Sequence, residues 1–557
     1  MSVTAIPSAS SNHRASSDDI SGSCLDTSSR QARTSLGTNG LAGVVLAAAI
    51  AVAAPADATA NYRNPILYAD YSDPDVIRVG KDYYLAASTF HFSPGLPILH
   101  SRDLVHWSIA GHVLPRLDFA PEYDMPGPFK LTDATSKPTG GTRYAGGVWA
   151  PSLRYHKGLF YIYWPTPDEG IFMATARNPA GPWSKPVTVM AGPGYEDPCP
   201  FWDDDGTAWL IHGKVGAGPL ILHRMSPDGK RVLDDGVVVA KDPERLPVLE
   251  GPKLYKRNGY YYIFAPIGGV GKGPQAVGRA RAITGPYEWR DVLKPSDKVA
   301  GPHQGGYVET PDGKGWFIHF NQTGAFGRID YLEPVRWVDG WPMMGDAANQ
   351  PVDSHAMPAP ATRERLQDSD EFASAKLGLQ WSWNHNPDNK AWSLKARPGF
   401  LRLKAGKADY LVTARNTLTQ VLQGPSSTIT VRIDLSHIAD GQRAGLSMFG
   451  VGPSWIGAVR DGGTNWLTLS AAGKDRRDTA LEQPVIELRV AVSGDQKARY
   501  AYSLDGGRSF IPLGEAIPLS PFSWWKGSRP ALFTYNTKAA AGWIDVDWVR
   551  VATERMN

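Results

Sequence analysis

Cysteine is nearly absent: Cys24 and Cys199 are the only two in 557 residues, too few for a disulfide framework. Excess charge of one sign is missing as well. The 58 Lys and Arg are balanced by 55 Asp and Glu, for a net charge of +3. That balance excludes the broad basic face of a nucleic-acid or membrane-surface binder and points to a neutral partner. Long apolar runs reduce to one, Leu41 to Ala54 (LAGVVLAAAIAVAA), too short to span a bilayer comfortably. Extended helical periodicity is also lacking, which leaves turns and strands to build the fold.

The apolar run follows Arg30 and Arg33 and ends near Ala58-Thr59-Ala60. That order reads as the apolar region and A-x-A cleavage site of a leader over residues 1–60, and hence as export to the periplasm or beyond. Cleavage after Ala60 removes Cys24 and leaves Cys199 unpaired. What is abundant fits an exported, turn-rich β protein: 58 Gly, 45 Pro and 10% aromatics, with 19 Trp. Flat rings stack on the C–H faces of sugars, although Trp and Tyr also serve simply to fill β cores.

From Asn61 to about 350 one short text is written five times: DPDVIRVGKDYYLAAS, WAPSLRYHKGLFYIYW, DPCPFWDDDGTAWLIHG, EGPKLYKRNGYYYIFAP and HQGGYVETPDGKGWFIHF. Each copy is a lead residue, a short strand, a glycine turn (Gly80, Gly158, Gly206, Gly259, Gly313) and an aromatic strand. The lead-to-glycine spacing is 7, 9, 9, 9 and 10 residues, so the register holds apart from small loop slack. A second hairpin follows each copy, which makes four strands per unit. Repeats near 50 residues with four strands each predict a five-bladed β-propeller. Residues 351–367 (PVDSHAMPAPATRERLQ) are Pro- and Ala-rich and read as a linker. Beyond them, 368–557 alternates apolar and polar residues in runs such as STITVRIDLS and PVIELRVAVSG, predicting a two-sheet β-sandwich of the jelly-roll or concanavalin-like kind.

The lead residues of the five copies are Asp73, Trp149, Asp197, Glu250 and His303. If each stands at the start of its blade's innermost strand, all five converge on the axis, and an axis that collects three acids is a site. Breaking a glycosidic bond needs a carboxylate and a carboxylic acid on opposite sides of the anomeric carbon. Asp73 and Glu250, on blades one and four, suit the general base on water and the general acid. Asp197, beside Glu250, suits an orienting partner whose charge keeps Glu250 protonated near neutral pH. Wide carboxylate spacing across an axis leaves room for water and predicts inversion. His303 reads either as a satisfied core histidine or as a ligand to a metal or water. With so few protein donors near it, such a metal would be held largely through water, as Ca²⁺ is.

The segments NPILYADYSDPDVIRVGKDYYLAASTF, GGVWAPSLRYHKGLFYIY, GYEDPCPFWDDDG, LEGPKLYKRNGYYYIF and GRIDYLEPVRWVDGWP resemble glycoside hydrolase family 43 along the whole propeller region. The resemblance implies inverting hydrolysis of arabinose- and xylose-containing polysaccharides, with Asp73 as base, Asp197 as pKa modulator and Glu250 as acid. It further implies Phe90 and Trp149 as aromatic walls of the sugar pocket, Arg328 as a clamp on sugar hydroxyls, and His303 against a calcium ion or its water shell. Residues 366–557 resemble the sandwich appended to β-xylosidases of that family. The expected substrate is therefore an oligosaccharide or polysaccharide, cut from its end to release β-D-xylosyl or α-L-arabinofuranosyl units. Two rivals compete: a glycan-binding propeller without catalysis, and a retaining fructan or sucrose hydrolase. The first would show loss of an acid, and none is lost. The second expects Asn-Asp-Pro-Asn, Arg-Asp-Pro and Glu-Cys segments, which this chain lacks.

Overall fold

A computed structural model describes residues 60–557 apart from 132, 134 and 136; the leader expectation and Cys24 lie outside the described residues. Five four-stranded antiparallel sheets follow one another along the chain. Their innermost strands are Asp75–Val79, Ser152–His156, Tyr195–Trp202, Lys253–Arg257 and His303–Glu309. Each pairs with the aromatic strand of its own repeat, Asp82–Ala86, Leu159–Thr166, Ala208–Lys214, Tyr260–Pro266 and Gly315–Gln322. The turn between them needs a left-handed residue, and the five repeat glycines supply it with φ of 66–86°. Among the described residues the only helical segments are three single 3₁₀ turns, so the fold is all-β.

Blades meet through apolar clusters formed where the aromatic strands face one another. Leu153, Ile162 and Trp164 pack with Ala86 and Ile98 between blades one and two. Tyr262, Phe264, Phe317 and Trp341 pack between blades four and five. Each such side chain, fully withdrawn from water, contributes roughly 1.5–3 kcal/mol. Close approach at the axis is set by Gly306: a Cβ there would lie 2.6 Å from the backbone nitrogen of Val76, so only glycine lets the innermost strands of blades five and one meet. Asp75 ties blade one to blade two, accepting from the Leu153 N–H at 2.8 Å and from Arg154 at 2.6 Å.

The segment before blade one returns to the segment after blade five. Asn61–Arg63 pairs antiparallel with Ser354–Ala356, and the Asn64 amide donates to the carbonyls of Leu332 and Val352, both at 2.9 Å. The stretch read as a linker thus carries a strand, and it is strapped to blade one where the Thr362 N–H donates to Asp103 at 2.7 Å. Its Pro-rich text hid a pairing of only three residues.

The C-terminal half forms two stacked sheets around a core that includes Leu401, Val431, Leu446, Ile456, Leu488, Val490, Ile544 and Val546. The last long strand, Trp543–Glu554, pairs with Ser426–Asp434 and Leu401–Lys404. The other sheet ends in a strand from elsewhere: Phe92–Ser93, a propeller segment, pairs with Ser382–Asn384 through Phe92↔Asn384 and Ser93↔Trp383. The two halves therefore share a sheet.

Candidate active site

Asp73, Trp149, Asp197, Glu250 and His303 all line one cavity of about 530 Å³, within the range of small-molecule sites, roughly 300–1,000 Å³. Phe90 and Arg328 line it too, as do Glu196, Gln304, Ala217, Val248 and Trp525. Seven of these residues hold positive φ: Asp73 (56°), Phe90 (53°), Asp197 (54°), Ala217 (68°), Val248 (51°), Gln304 (41°) and Trp525 (62°). Left-handed backbone at non-glycine residues costs on the order of 1–3 kcal/mol each and persists where surrounding structure imposes it, as at functional sites.

Asp73 is 4% exposed and both of its carboxylate oxygens are engaged. The Ser88 hydroxyl donates to Oδ2 at 2.5 Å and Arg328 Nη1 donates to Oδ1 at 2.6 Å. Arg328, read as a clamp on sugar hydroxyls, is here bonded to the candidate base, and its guanidinium also lies 4.7 Å from the Phe320 ring centre.

In the same cavity, one carboxylate oxygen each of Glu196, Asp197 and Glu250 lie within 4.8 Å of one another. Three carboxylates this close cannot all ionise cheaply. Burial, and then the Glu250 charge, push Asp197 up to about 7, although the Gly251 N–H donates to it at 2.8 Å. Glu250 moves the other way. Burial works to raise it, but His303, with Nε2 3.1 Å from Glu250 Oε1, and the Arg328 charge leave it below the ordinary range. Asp197 and Glu250 are thus a close carboxyl pair that retains a proton near neutral pH, with His303 set against Glu250.

Several polar atoms of the lining residues lack partners. Among the described residues, His303 Nδ1, Gln304 Nε2 and Arg328 Nε are buried without a partner at hydrogen-bonding angle. A buried polar atom left unpaired costs about 1–3 kcal/mol. With Nε2 turned to Glu250, Nδ1 is the nitrogen of His303 left to meet the water shell of a cation. His303 is a single nitrogen donor, and Ca²⁺ takes six to eight oxygens, so water would supply most of that shell.

Three aromatic rings wall the cavity. Phe90 and Trp149 meet edge to face at 6.5 Å, and Trp149 meets Trp525 at 6.2 Å. Trp525 comes from the sandwich. Its loop is anchored on the segment that leads into blade one, where the buried Lys526 ammonium donates to Asp70 O and Ser72 Oγ, both at 3.2 Å, and the Gly527 N–H donates to Asp70 Oδ2 at 2.9 Å. Trp525 and Glu196 were not singled out by sequence. The Ser-Trp-Trp-Lys-Gly text at 523–527 stands alone, with no repeat to flag it, and Glu196 precedes the lead residue of its copy.

Residues 62–342 match the model of glycosyl hydrolases family 43, and residues 369–552 match the beta-xylosidase C-terminal concanavalin A-like domain. The chain belongs to glycosyl hydrolase family 43. Glycoside hydrolysis is accordingly its chemistry, and carbohydrate its substrate class. A putative beta-xylosidase of Xylanibacter ruminicola is 40% identical over 480 residues, covering 85% of this chain and 86% of that one. A non-reducing end alpha-L-arabinofuranosidase of Bacteroides ovatus is 35% identical over 365 residues, covering 62% and 65%. Among solved structures, a bifunctional GH43-CE protein of Bacteroides eggerthii superposes with a TM-score of 0.80 at 32% identity over 89% of this chain. The family 43 chain described here spans 64% of that bifunctional protein.

Proposed function

We propose that the protein is an inverting exo-glycosidase that releases terminal β-D-xylosyl or α-L-arabinofuranosyl units from fragments of xylan, arabinoxylan or arabinan. One observation carries this reading: the lead residues of all five repeats line a single cavity, and the sandwich closes its wall with Trp525. A pocket walled by a second domain suits a chain end better than the middle of a polymer. The two sugars present similar hydroxyls, and a single methylene or hydroxyl shifts such a preference by only about 1–3 kcal/mol. Relatives named for each activity support keeping both sugars in the reading.

In this reading Asp73 is the base. Ser88 and Arg328 fix its carboxylate so that one oxygen takes a proton from water as that water attacks the anomeric carbon. Glu250 is the acid that protonates the leaving oxygen, drawing on the proton it shares with Asp197. A sugar that engages His303 loosens its hold on Glu250 and favours the shared proton on Glu250. Water attack from one face with departure from the other inverts the anomeric centre. A Ca²⁺ ion whose water shell rests on His303 would supply fixed positive charge there and order the imidazole. The leader text at 41–60 supports export.

Incubation with p-nitrophenyl β-D-xyloside and α-L-arabinofuranoside in parallel tests the activity, and the anomer first released, read by proton NMR, tests inversion. Release of the opposite anomer from at least one glycoside is expected. Release with retained configuration would remove Asp73 from the base role, and turnover of neither glycoside would overturn the reading.

A further inference from the structure

Successive side chains on a strand face opposite sides of a sheet, so Glu196 and Asp197 should not share a cavity. They do, because the innermost strand of blade three is bulged. Glu196 pairs with Gly213, the next pair is Cys199↔Ile211, and Asp197 between them takes φ of 54°. A bulge of this kind re-aims side chains, and here it turns two consecutive carboxyls into the pocket. Glu196 is 5% exposed. Its Oε1 accepts from the Ala217 N–H at 3.1 Å, and its Cγ sits over Gly213, where an added Cβ would approach it to 3.1 Å. The side chain is thus held from two sides, within 4.8 Å of an oxygen of Asp197 and of Glu250. His303, Gln304 and Arg328 line the same cavity as Glu196.

Building on the glycosidase reading above, we propose that Glu196 is a specificity-determining residue that donates a hydrogen bond to a ring hydroxyl of the terminal sugar. Every role assigned so far leaves this group unused, yet it lines the same cavity as the candidate base and acid. Burial, then the charges of Asp197 and Glu250, raise its carboxyl to about 9. At neutral pH it therefore carries its proton and can act as a donor, which an ordinary glutamate cannot. The competing role is structural: through Ala217, Glu196 also braces the loop that rims the pocket.

The two roles separate in a cycle between enzyme and substrate. Glu196→Ala and Glu196→Gln are compared with wild type on p-nitrophenyl β-D-xyloside and on its 2-, 3- and 4-deoxy analogues. The expected result is a loss in kcat/KM of about ten- to hundredfold for Glu196→Ala on the parent glycoside. On the one analogue that lacks the contacted hydroxyl, the same substitution should cost less than about threefold, because the two removals share one interaction. Glu196→Gln, which keeps an N–H donor, should stay within about fivefold of wild type on the parent. Should Glu196→Ala fail to fold, Glu196→Asp, which withdraws the O–H by one methylene, carries the same cycle. An equal penalty on the parent and on all three analogues, or no penalty on any, would overturn the contact. A wild type that turns over no parent xyloside or arabinofuranoside overturns the glycosidase reading itself, an outcome distinct from both.

Discussion

Replacing Asp197 with Asn removes a negative charge from beside the candidate acid while keeping an oxygen for the Gly251 N–H. The expected size of the effect follows from the spacing. Two carboxylates with oxygens within 4.8 Å repel by about 3.5 kcal/mol at an effective dielectric near 20, equivalent to about 2.5 pH units. In the wild type the Asp197–Glu250 pair keeps its proton up to a pH of about 7. Without Asp197 the proton depends on Glu250 alone, and His303 and Arg328 favour its ionised form. The acid form should therefore be lost at lower pH. The alkaline limb of kcat/KM, followed from about pH 4 to 10, should fall by up to about 2.5 units. The deficit should be larger on xylobiose than on p-nitrophenyl β-D-xyloside, since p-nitrophenolate leaves with little help from an acid. An alkaline limb that coincides with wild type on both substrates would refute the coupling.

Trp525→Ala removes the wall supplied by the sandwich, and KM should rise on the order of tenfold, about 1.4 kcal/mol, with little change in melting temperature because the ring is 43% exposed. Exhaustive chelation should lower kcat/KM and Ca²⁺ should restore it; activity unmoved by chelation would remove the ion from the site. Acid should destabilise the fold. Burial pushes His212 and His319 down to about 4 and His385 to about 3, so between these values and about 6.5 the unfolded chain binds more protons. Stability present above pH 6.5 is then lost as pH falls to 4, by about 3 kcal/mol per histidine. A melting temperature flat across that window would contradict the burial of these rings in neutral form.

The repeat made much of this architecture readable. A turn that needs positive φ selects glycine, so Gly80, Gly158, Gly206, Gly259 and Gly313 set the register, and counting back from them reached residues that the fold gathers around one cavity. Other features left no such trace. Glu196 was hidden because strand alternation assigns it to the opposite face from Asp197, and the bulge that breaks the rule depends on pairing with the next strand. Trp525 was hidden because it arrives from another domain. The approach of His303 to Glu250 was hidden because it is a contact between blades that no local motif encodes. The strand at 354–356 was too short to stand out from its Pro-rich surroundings.

Phe92 and Ser93 complete a sandwich sheet, while Phe90, two residues earlier, faces the substrate cavity. A single tetrapeptide thus serves as both hinge-pin and upholstery. Sequence drift that refits the pocket to a new sugar also disturbs the seam between the halves, and a transplanted sandwich would have to arrive with residues 90–93 that match it. Recombination within such enzymes should accordingly be tolerated least at this seam.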